Sequence, residues 1–229
     1  MSDLHPIGPP KSQEFDDLYF SADDGLAESK FVFLDGNNLP ENWLETERFV
    51  ICETGFGTGL NFLSAWKLFE ETTKQHQSLD FISFEKYPLE AGKIGLYLQP
   101  WLDLFDGRLQ QLLTHYPPNI PGFHRIILNE RVTLTLIFED VNDAIPKLVA
   151  DVDAWFLDGF KPSSNPDMWS DTVFEHMARL SHKGTSLATF TAAGKVRRGL
   201  TAAGFSIKKV PGFGRKRDMT IGNFVGDGA

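Results

Sequence analysis

The sequence predicts an α/β protein: a mainly parallel, doubly wound sheet with a C-terminal antiparallel hairpin and a small N-terminal extension. Three observations carry this. Short apolar runs alternate with segments of helical periodicity from residue 49 to residue 203. The stretch Phe49-Val-Ile-Cys-Glu-Thr-Gly-Phe-Gly-Thr-Gly-Leu-Asn-Phe62 reads as strand, acidic residue, glycine loop and helix. Two last strand-like segments, 205–210 and 218–224, flank the turn Pro211-Gly-Phe-Gly214.

In chain order, residues 1–45 read as an extension packed on a core domain, 46–225. Within the extension, Phe31-Val-Phe-Leu34 predicts a strand and Asp35-Gly-Asn-Asn38 a turn. Strand 49–53 leads to helix 59–72. Strand 80–85 leads to a helix starting near Pro88, since proline is tolerated in a first turn. Residues 90–118, with Trp101, Leu102, Leu104, Phe105, Leu109, Leu112 and Leu113, predict one or two amphipathic helices. Segments 124–128 and 132–138 flank Asn129-Glu-Arg131 as a hairpin, and helix 142–150 follows. Strand 153–157 ends at Asp158-Gly-Phe160. A Pro/Ser/Asn loop, 161–166, precedes helix 170–181. Gly184 opens strand 185–190, and Gly204 ends helix 192–203.

Bulk properties narrow the classes. A chain of 229 residues with 41% hydrophobic content supports one well-buried domain. No apolar run approaches the ~20 residues of a membrane span. Met1 to Pro10 is polar and proline-rich, which does not read as a secretory signal, so a cytoplasmic location is expected. The single Cys52 excludes an internal disulfide and a cysteine zinc cluster, and reads as a buried thiol. The six histidines are scattered with no H-x-x-x-H pair, so no metal is expected. No G-x-S-x-G elbow is present. Net charge is −9, yet Lys195 to Asp218 carries +7 and the remainder −16. Such asymmetry gives a local basic footprint on an acidic protein, or a solvated helix face and a basic turn.

The glycine loop is the sharpest local signal. Gly55, Gly57 and Gly59 offer bare backbone to a ligand, and the helix start offers N–H donors. The spacing is G-x-G-x-G, not the dinucleotide G-x-G-x-x-G, and no Gly-Lys-Ser/Thr follows. Glu53, just before the glycines, would repel a pyrophosphate. It suits a cation such as the ammonium or sulfonium of S-adenosylmethionine. Open α/β sheets bind ligands beyond the carboxyl ends of their strands. Four acids fall there: Glu53, Glu85, Asp140 and Asp158. Glu85 has the position to receive ribose hydroxyls, and Asp140 an adenine amino group. Asp158 can accept a hydrogen bond from an amine and aim its lone pair at a methyl group. Phe160 and Trp169 could stack on a base, and Pro162 and Pro166 stiffen the loop between them. A plain proline-bounded loop explains Trp169 well and Asp158 poorly.

At these residues the chain resembles the methyltransferase domain of the MnmC family, the tRNA 5-methylaminomethyl-2-thiouridine enzymes. Matching segments include Phe15-Asp-Asp-Leu-Tyr-Phe-Ser21, Gly25-Leu-Ala-Glu28, Glu53-Thr-Gly-Phe-Gly-Thr-Gly-Leu-Asn-Phe62 and Ser83-Phe-Glu-Lys-Tyr-Pro88. Trp155-Phe-Leu-Asp-Gly-Phe160, Asn165-Pro-Asp-Met-Trp169, Val196-Arg-Arg-Gly-Leu200 and Gly212-Phe-Gly-Arg-Lys-Arg217 match as well. The resemblance covers roughly residues 13–220 and implies a Rossmann-like S-adenosylmethionine-dependent fold. It implies methyl transfer to the exocyclic amine of 5-aminomethyl-2-thiouridine at the tRNA wobble position. It carries Glu53, Gly55, Gly57, Gly59, Asn61, Glu85, Lys86, Asp140 and Asp158 to the cofactor, with Phe20 and Asn37 beside them. Asp158 and Phe160 become the catalytic pair. Tyr19, Glu28 and Pro162 fall on the substrate side; with such a substrate, the charge split assigns Lys195, Arg197, Arg198, Arg215, Lys216 and Arg217 to phosphates of the anticodon arm. The family often has Gly before the acid at 140, where this chain has Glu139. Many relatives continue into a flavin-dependent oxidoreductase domain. This chain ends at Ala229, so neither that activity nor FAD is expected of it. A small-molecule or protein amine acceptor, or a non-catalytic RNA-binding module, are the competing functional classes. Oligomeric state is not set by the sequence, and a monomer is compatible with it.

Overall fold

The computed structural model describes residues 14, 18, 19, 24–214 and 216–226. Phe20 and Arg215, both assigned above, lie outside the described residues, as does much of the segment 15–21. Among the described residues eight strands form one sheet: β1 (Arg48–Thr54), β2 (Ser78–Phe84), β3 (Gly122–Ile127), β4 (Val132–Phe138), β5 (Val152–Leu157), β6 (Ser181–Thr189), β7 (Phe205–Pro211) and β8 (Asp218–Phe224). Their spatial order is β3-β4-β2-β1-β5-β6-β8-β7. The five strands from β4 to β6 run parallel. β3 lies antiparallel on β4, and β8 lies antiparallel to both of its neighbours, β6 and β7.

Side-chain alternation along the strands builds two apolar layers. On β1, Phe49 and Ile51 face one layer, and Val50 and Cys52 the other. The first layer is covered by the N-terminal segment, α2 (Leu60–Thr72), α3 (Ala91–Leu98) and α4 (Arg108–His115). The second is covered by α5 (Val141–Ala144), α6 (Asp171–Leu180) and α7 (Gly194–Ala202). Burial on both faces is what a parallel sheet requires, and it explains the near-continuous apolar runs of β1 and β5.

Three expectations are corrected. Phe31-Val-Phe-Leu34 is helical, not a strand: α1 (Gly25–Ser29) runs into a π-helical turn, Lys30–Leu34, and then a 3₁₀ turn, Asp35–Asn37. Its consecutive residues Val32, Phe33 and Leu34 are all buried, so no alternating polar face exists for a half-exposed strand. Asp24 caps α1, its Oδ1 accepting from Ala27 N at 2.9 Å. The helix expected over 142–150 stops at Ala144 and becomes the 3₁₀ turn Ile145–Lys147, because Pro146 lacks the N–H that would continue it. The helix expected near Pro88 begins at Ala91. Among the described residues no helix is long and apolar enough to cross a membrane.

Candidate active site

A cavity of about 440 Å³ opens at the carboxyl ends of the parallel strands. Its wall is assembled from α1, the β1–α2 loop, the ends of β2, β4 and β5, and the turn between β7 and β8. Among the described residues, six carboxylate residues line it (Glu28, Glu85, Glu139, Asp140, Asp158, Asp167), against three lysines (Lys86, Lys161, Lys216). That lining favours a ligand carrying positive charge and hydroxyl groups, and opposes a pyrophosphate. Phe84, Val141, Phe160 and Met168 supply apolar wall for a ring. This donor set fits S-adenosylmethionine.

The glycine loop is shaped by the strand beside it. Gly55 has φ +95°, and a Cβ there would lie 2.2 Å from the Asp158 carbonyl oxygen. Only glycine permits that approach, which brings the end of β5 against the loop. Glu85 ties the loop down from the other side. Its Oε2 accepts from Gly57 N at 2.9 Å and its Oε1 from Tyr87 N at 2.8 Å. Burial raises the Glu85 pKa, and these two N–H groups oppose that rise. Each carboxylate oxygen keeps acceptor capacity for a sugar hydroxyl.

Asp140 caps α5, accepting from Asn142 N at 2.9 Å, and pairs with Lys86 Nζ at 2.8 Å. Partial burial pushes its pKa up, but the Lys86 and Asn142 bonds outweigh it and leave the group below its ordinary value. Glu139, beside it, pairs with Lys147 at 2.9 Å. Asn142 also donates to Asp167 O at 3.1 Å and accepts from Ser170 Oγ at 2.5 Å, which fastens the loop after β5 to α5.

Asp158 follows β5 and lines the cavity, half-buried. Its Oδ2 accepts from Asn61 Nδ2 at 2.7 Å. Burial pushes its carboxyl up to about 7; the Asn61 bond lowers it, Glu28 and Glu85 raise it, and Lys216 lowers it. Phe160 also lines the cavity, its ring edge-on to Tyr19 with centroids 5.7 Å apart. Its carbonyl accepts from Trp169 Nε1 at 3.1 Å. Trp169 is itself buried, so it holds the loop and offers no face for a base to stack on.

The structure brings Tyr19, Glu28, Gly55, Gly57, Asn61, Glu85, Lys86, Asp140, Asp158, Phe160 and Lys216 to one cavity. It places others elsewhere. Glu53 is 0% exposed and does not line the cavity; it lies beneath, bonded to Asn61 and Ser83. The strand runs one residue past it, so it faces inward with Phe49 and Ile51. Asn37 is buried, and its Nδ2 donates to Phe33 O at 2.9 Å. Gly59 sits below the cavity as the N-cap of α2, packed on Phe56. Pro162 does not line the cavity. Lys195, Arg197 and Arg198 belong to α7 and do not line the cavity; Lys195 and Arg198 are exposed. Arg217 is 93% exposed at the β7–β8 turn. Among the described residues no group of three or more His, Cys, Asp or Glu is placed to hold a metal ion.

Ser29, Lys161, Met168 and Phe190 are among the lining residues to which the sequence reading gave no role. Phe190 follows β6 directly, so the strand-end rule applied to Glu85 and Asp158 would have found it. Lys161 and Met168 lie in the loop already singled out. Ser29 carries no local signal, because its partner Asn61 is 32 positions away.

Comparison with known proteins agrees with this architecture. The chain spans about a third of the length of the curated relatives it matches. A protein of Aliivibrio fischeri named tRNA 5-methylaminomethyl-2-thiouridine biosynthesis bifunctional protein MnmC is 50% identical over 230 residues, covering 95% of this chain and 34% of that protein. One of the same name from a Marinomonas species is 51% identical over 218 residues, covering 94% of this chain and 32% of that protein. The crystal structure of MNMC2 from Aquifex aeolicus shares the fold, with a TM-score of 0.78 at 22% identity over 96% of this chain and 68% of that one. A family model described as S-adenosyl-L-methionine-dependent methyltransferase matches residues 104–224, more than half of the sequence. On that match the chain belongs to the S-adenosyl-L-methionine-dependent methyltransferases.

Proposed function

We propose that the chain moves a methyl group from S-adenosylmethionine to the primary amine of 5-aminomethyl-2-thiouridine at the wobble position of tRNA. The observation that carries this is the 50–51% identity, across nearly the whole chain, to proteins named for biosynthesis of the methylaminomethyl product. The acid Asp158 in the cavity lining supports it. Bound S-adenosylmethionine supplies an electrophilic methyl on a sulfonium centre. The acceptor must meet it as a neutral amine, since an ammonium has no lone pair. Asp158 accepts a hydrogen bond from that amine and orients its lone pair. A carboxyl with a pKa of about 7 is ionised in good part at neutral pH and is basic enough to take a proton. Phe160 and Tyr19 form an aromatic wall against which a base can stack. Glu85 and Asp140 hold the ribose and adenine ends of the cofactor. Positioning supplies most of the rate enhancement in such a direct displacement.

Lys195, Arg198 and Arg217 contact phosphates of the anticodon arm in this proposal; their exposure leaves the charges available to a polyanion. The test is incubation with S-adenosylmethionine and tRNA bearing the aminomethyl group, followed by nucleoside mass spectrometry. One methyl gained on that nucleoside alone is the expected result. Methyl transfer to free small amines at an equal rate, or to no tRNA nucleoside, would reject the proposal.

A further inference from the structure

We infer that Ser29, Asn61 and Glu53 form a buried brace that aims the Asp158 carboxylate into the cavity, with Glu53 anchoring Asn61 rather than touching the methyl donor. What Asp158 does there rests on the function proposed above; the brace itself rests on geometry. Asn61 Nδ2 donates to Asp158 Oδ2 at 2.7 Å and to Glu53 Oε1 at 2.9 Å. Ser29 Oγ donates to the Asn61 carbonyl oxygen at 2.5 Å. Ser29 occupies the amide oxygen as a donor, so the amide must turn its N–H groups toward the two acids. The Ser29 hydroxyl then locks that orientation from the opposite end. Ser83 Oγ meets the second Glu53 oxygen at 2.7 Å. Ser29, Asn61, Glu53 and Ser83 are all buried, and Asp158 is the member of the network that opens most to solvent.

Enclosure bears on the charge of Glu53. Burial pushes the Glu53 pKa well above the usual range, Asp158 pushes it further, and the Ser83 and Asn61 bonds oppose this. A protonated Glu53 keeps both bonds, because the Ser83 hydroxyl accepts as readily as it donates. The brace therefore keeps the same bonds in either state of Glu53. The other charges facing Asp158 are Glu28 from α1, Glu85 from the end of β2 and Lys216 from the β7–β8 turn.

The test follows the Asp158 carboxyl in the full chain without cofactor, by ¹³C NMR of aspartate-labelled protein. The resonance absent from Asp158→Asn identifies it. Asn61→Ala should raise the titration midpoint by about one pH unit, because a donor to the charged form is lost. Ser29→Ala should raise it by less. Glu53→Gln, an isostere of the protonated acid, should move it by under ~0.5 unit. Calorimetry with S-adenosylmethionine should show Glu53→Gln binding within about threefold of wild type, under ~0.7 kcal/mol. The inference is overturned if Asn61→Ala and Ser29→Ala leave the midpoint in place, if Glu53→Gln lowers it by a unit or more, or if Glu53→Gln weakens cofactor binding tenfold. Should Asn61→Ala fail to fold, the other two variants still decide. Absence of methyl transfer to aminomethyl tRNA by the wild type would reject the proposed function and leave the titration result standing.

Discussion

Lys216 Nζ lies 2.6 Å from Glu28 Oε1, an ion pair across the cavity wall between residues 188 positions apart. The same ammonium sits 4.4 Å from the centre of the Phe190 ring. It is the lysine that opposes the acidic neighbours of Asp158. Lys216→Ala removes a charge that lowers the Asp158 pKa and unpairs Glu28, which raises it. The acidic limb of the methyl-transfer profile should therefore move to higher pH, by about half a unit or more. A pH series of kcat/KM checks this. Global stability should change little, by about 0–1 kcal/mol, because the lysine is half exposed.

Asp158→Asn separates chemistry from folding. It should lower the methyl-transfer rate by about 10²–10⁴-fold in single turnovers while cofactor binding persists. Its effect on stability has the opposite sign. The folded-state pKa is raised from 3.8 to about 7, so the folded chain holds a proton that the unfolded chain has lost. Stability from this group is then lost as pH rises through that window. The variant should unfold at higher urea than wild type near pH 8, by at least ~1 kcal/mol, and show no such gain near pH 4. Equal urea midpoints at both pH values would contradict the raised pKa.

Gly55→Ala should be costly. An alanine there takes up φ +95° and places its Cβ 2.2 Å from the Asp158 carbonyl oxygen. The backbone conformation alone costs about 1–3 kcal/mol, and the obstructing atom belongs to backbone that cannot swing aside. Methyl transfer should fall as well, because relief of the overlap displaces Asp158. Gly92→Ala in α3, where an added Cβ meets nothing within 4 Å, is the comparison. It should stabilise by about 0.5–1 kcal/mol. Urea denaturation of both variants measures the difference.

The basic surface is tested by salt. Joint replacement of Lys195, Arg198 and Arg217 by Ala should weaken tRNA binding and flatten its dependence on salt. Three lost phosphate contacts reduce the slope of log K against log salt by about 2–3. Binding measured over a range of KCl concentrations reads it directly; an unchanged slope removes these residues from the tRNA surface.

Much of this architecture is legible in the chain because it is local. The strand, glycine loop and α2 follow from one uninterrupted stretch, and strand ends locate Glu85, Asp140 and Asp158. Parity along β1 even contains the correction to Glu53: it shares a face with Phe49 and Ile51, and that face is enclosed. The strand-end rule failed there only because the strand continues to Thr54. Phe31-Val-Phe-Leu34 has strand composition, yet the consecutive burial of Val32, Phe33 and Leu34 suits a helical turn. What could not be read are pairings made by topology. Nothing near Ser29 announces Asn61, and nothing near Lys216 announces Glu28.

The position of β8 has a consequence for how the molecule is made. It is the last of the eight strands to be synthesised, yet it lies inside the sheet, between β6 and β7. On the ribosome, β7 emerges before the strand that joins it to the rest, and β6 waits with an unsatisfied border. The hairpin that delivers Lys216 can seat only after residue 224 has cleared the exit tunnel. A nascent chain stalled earlier would expose a bare row of amides and carbonyls, the kind of template that recruits other chains. Completion of the cavity and protection of the sheet are thus the same late event.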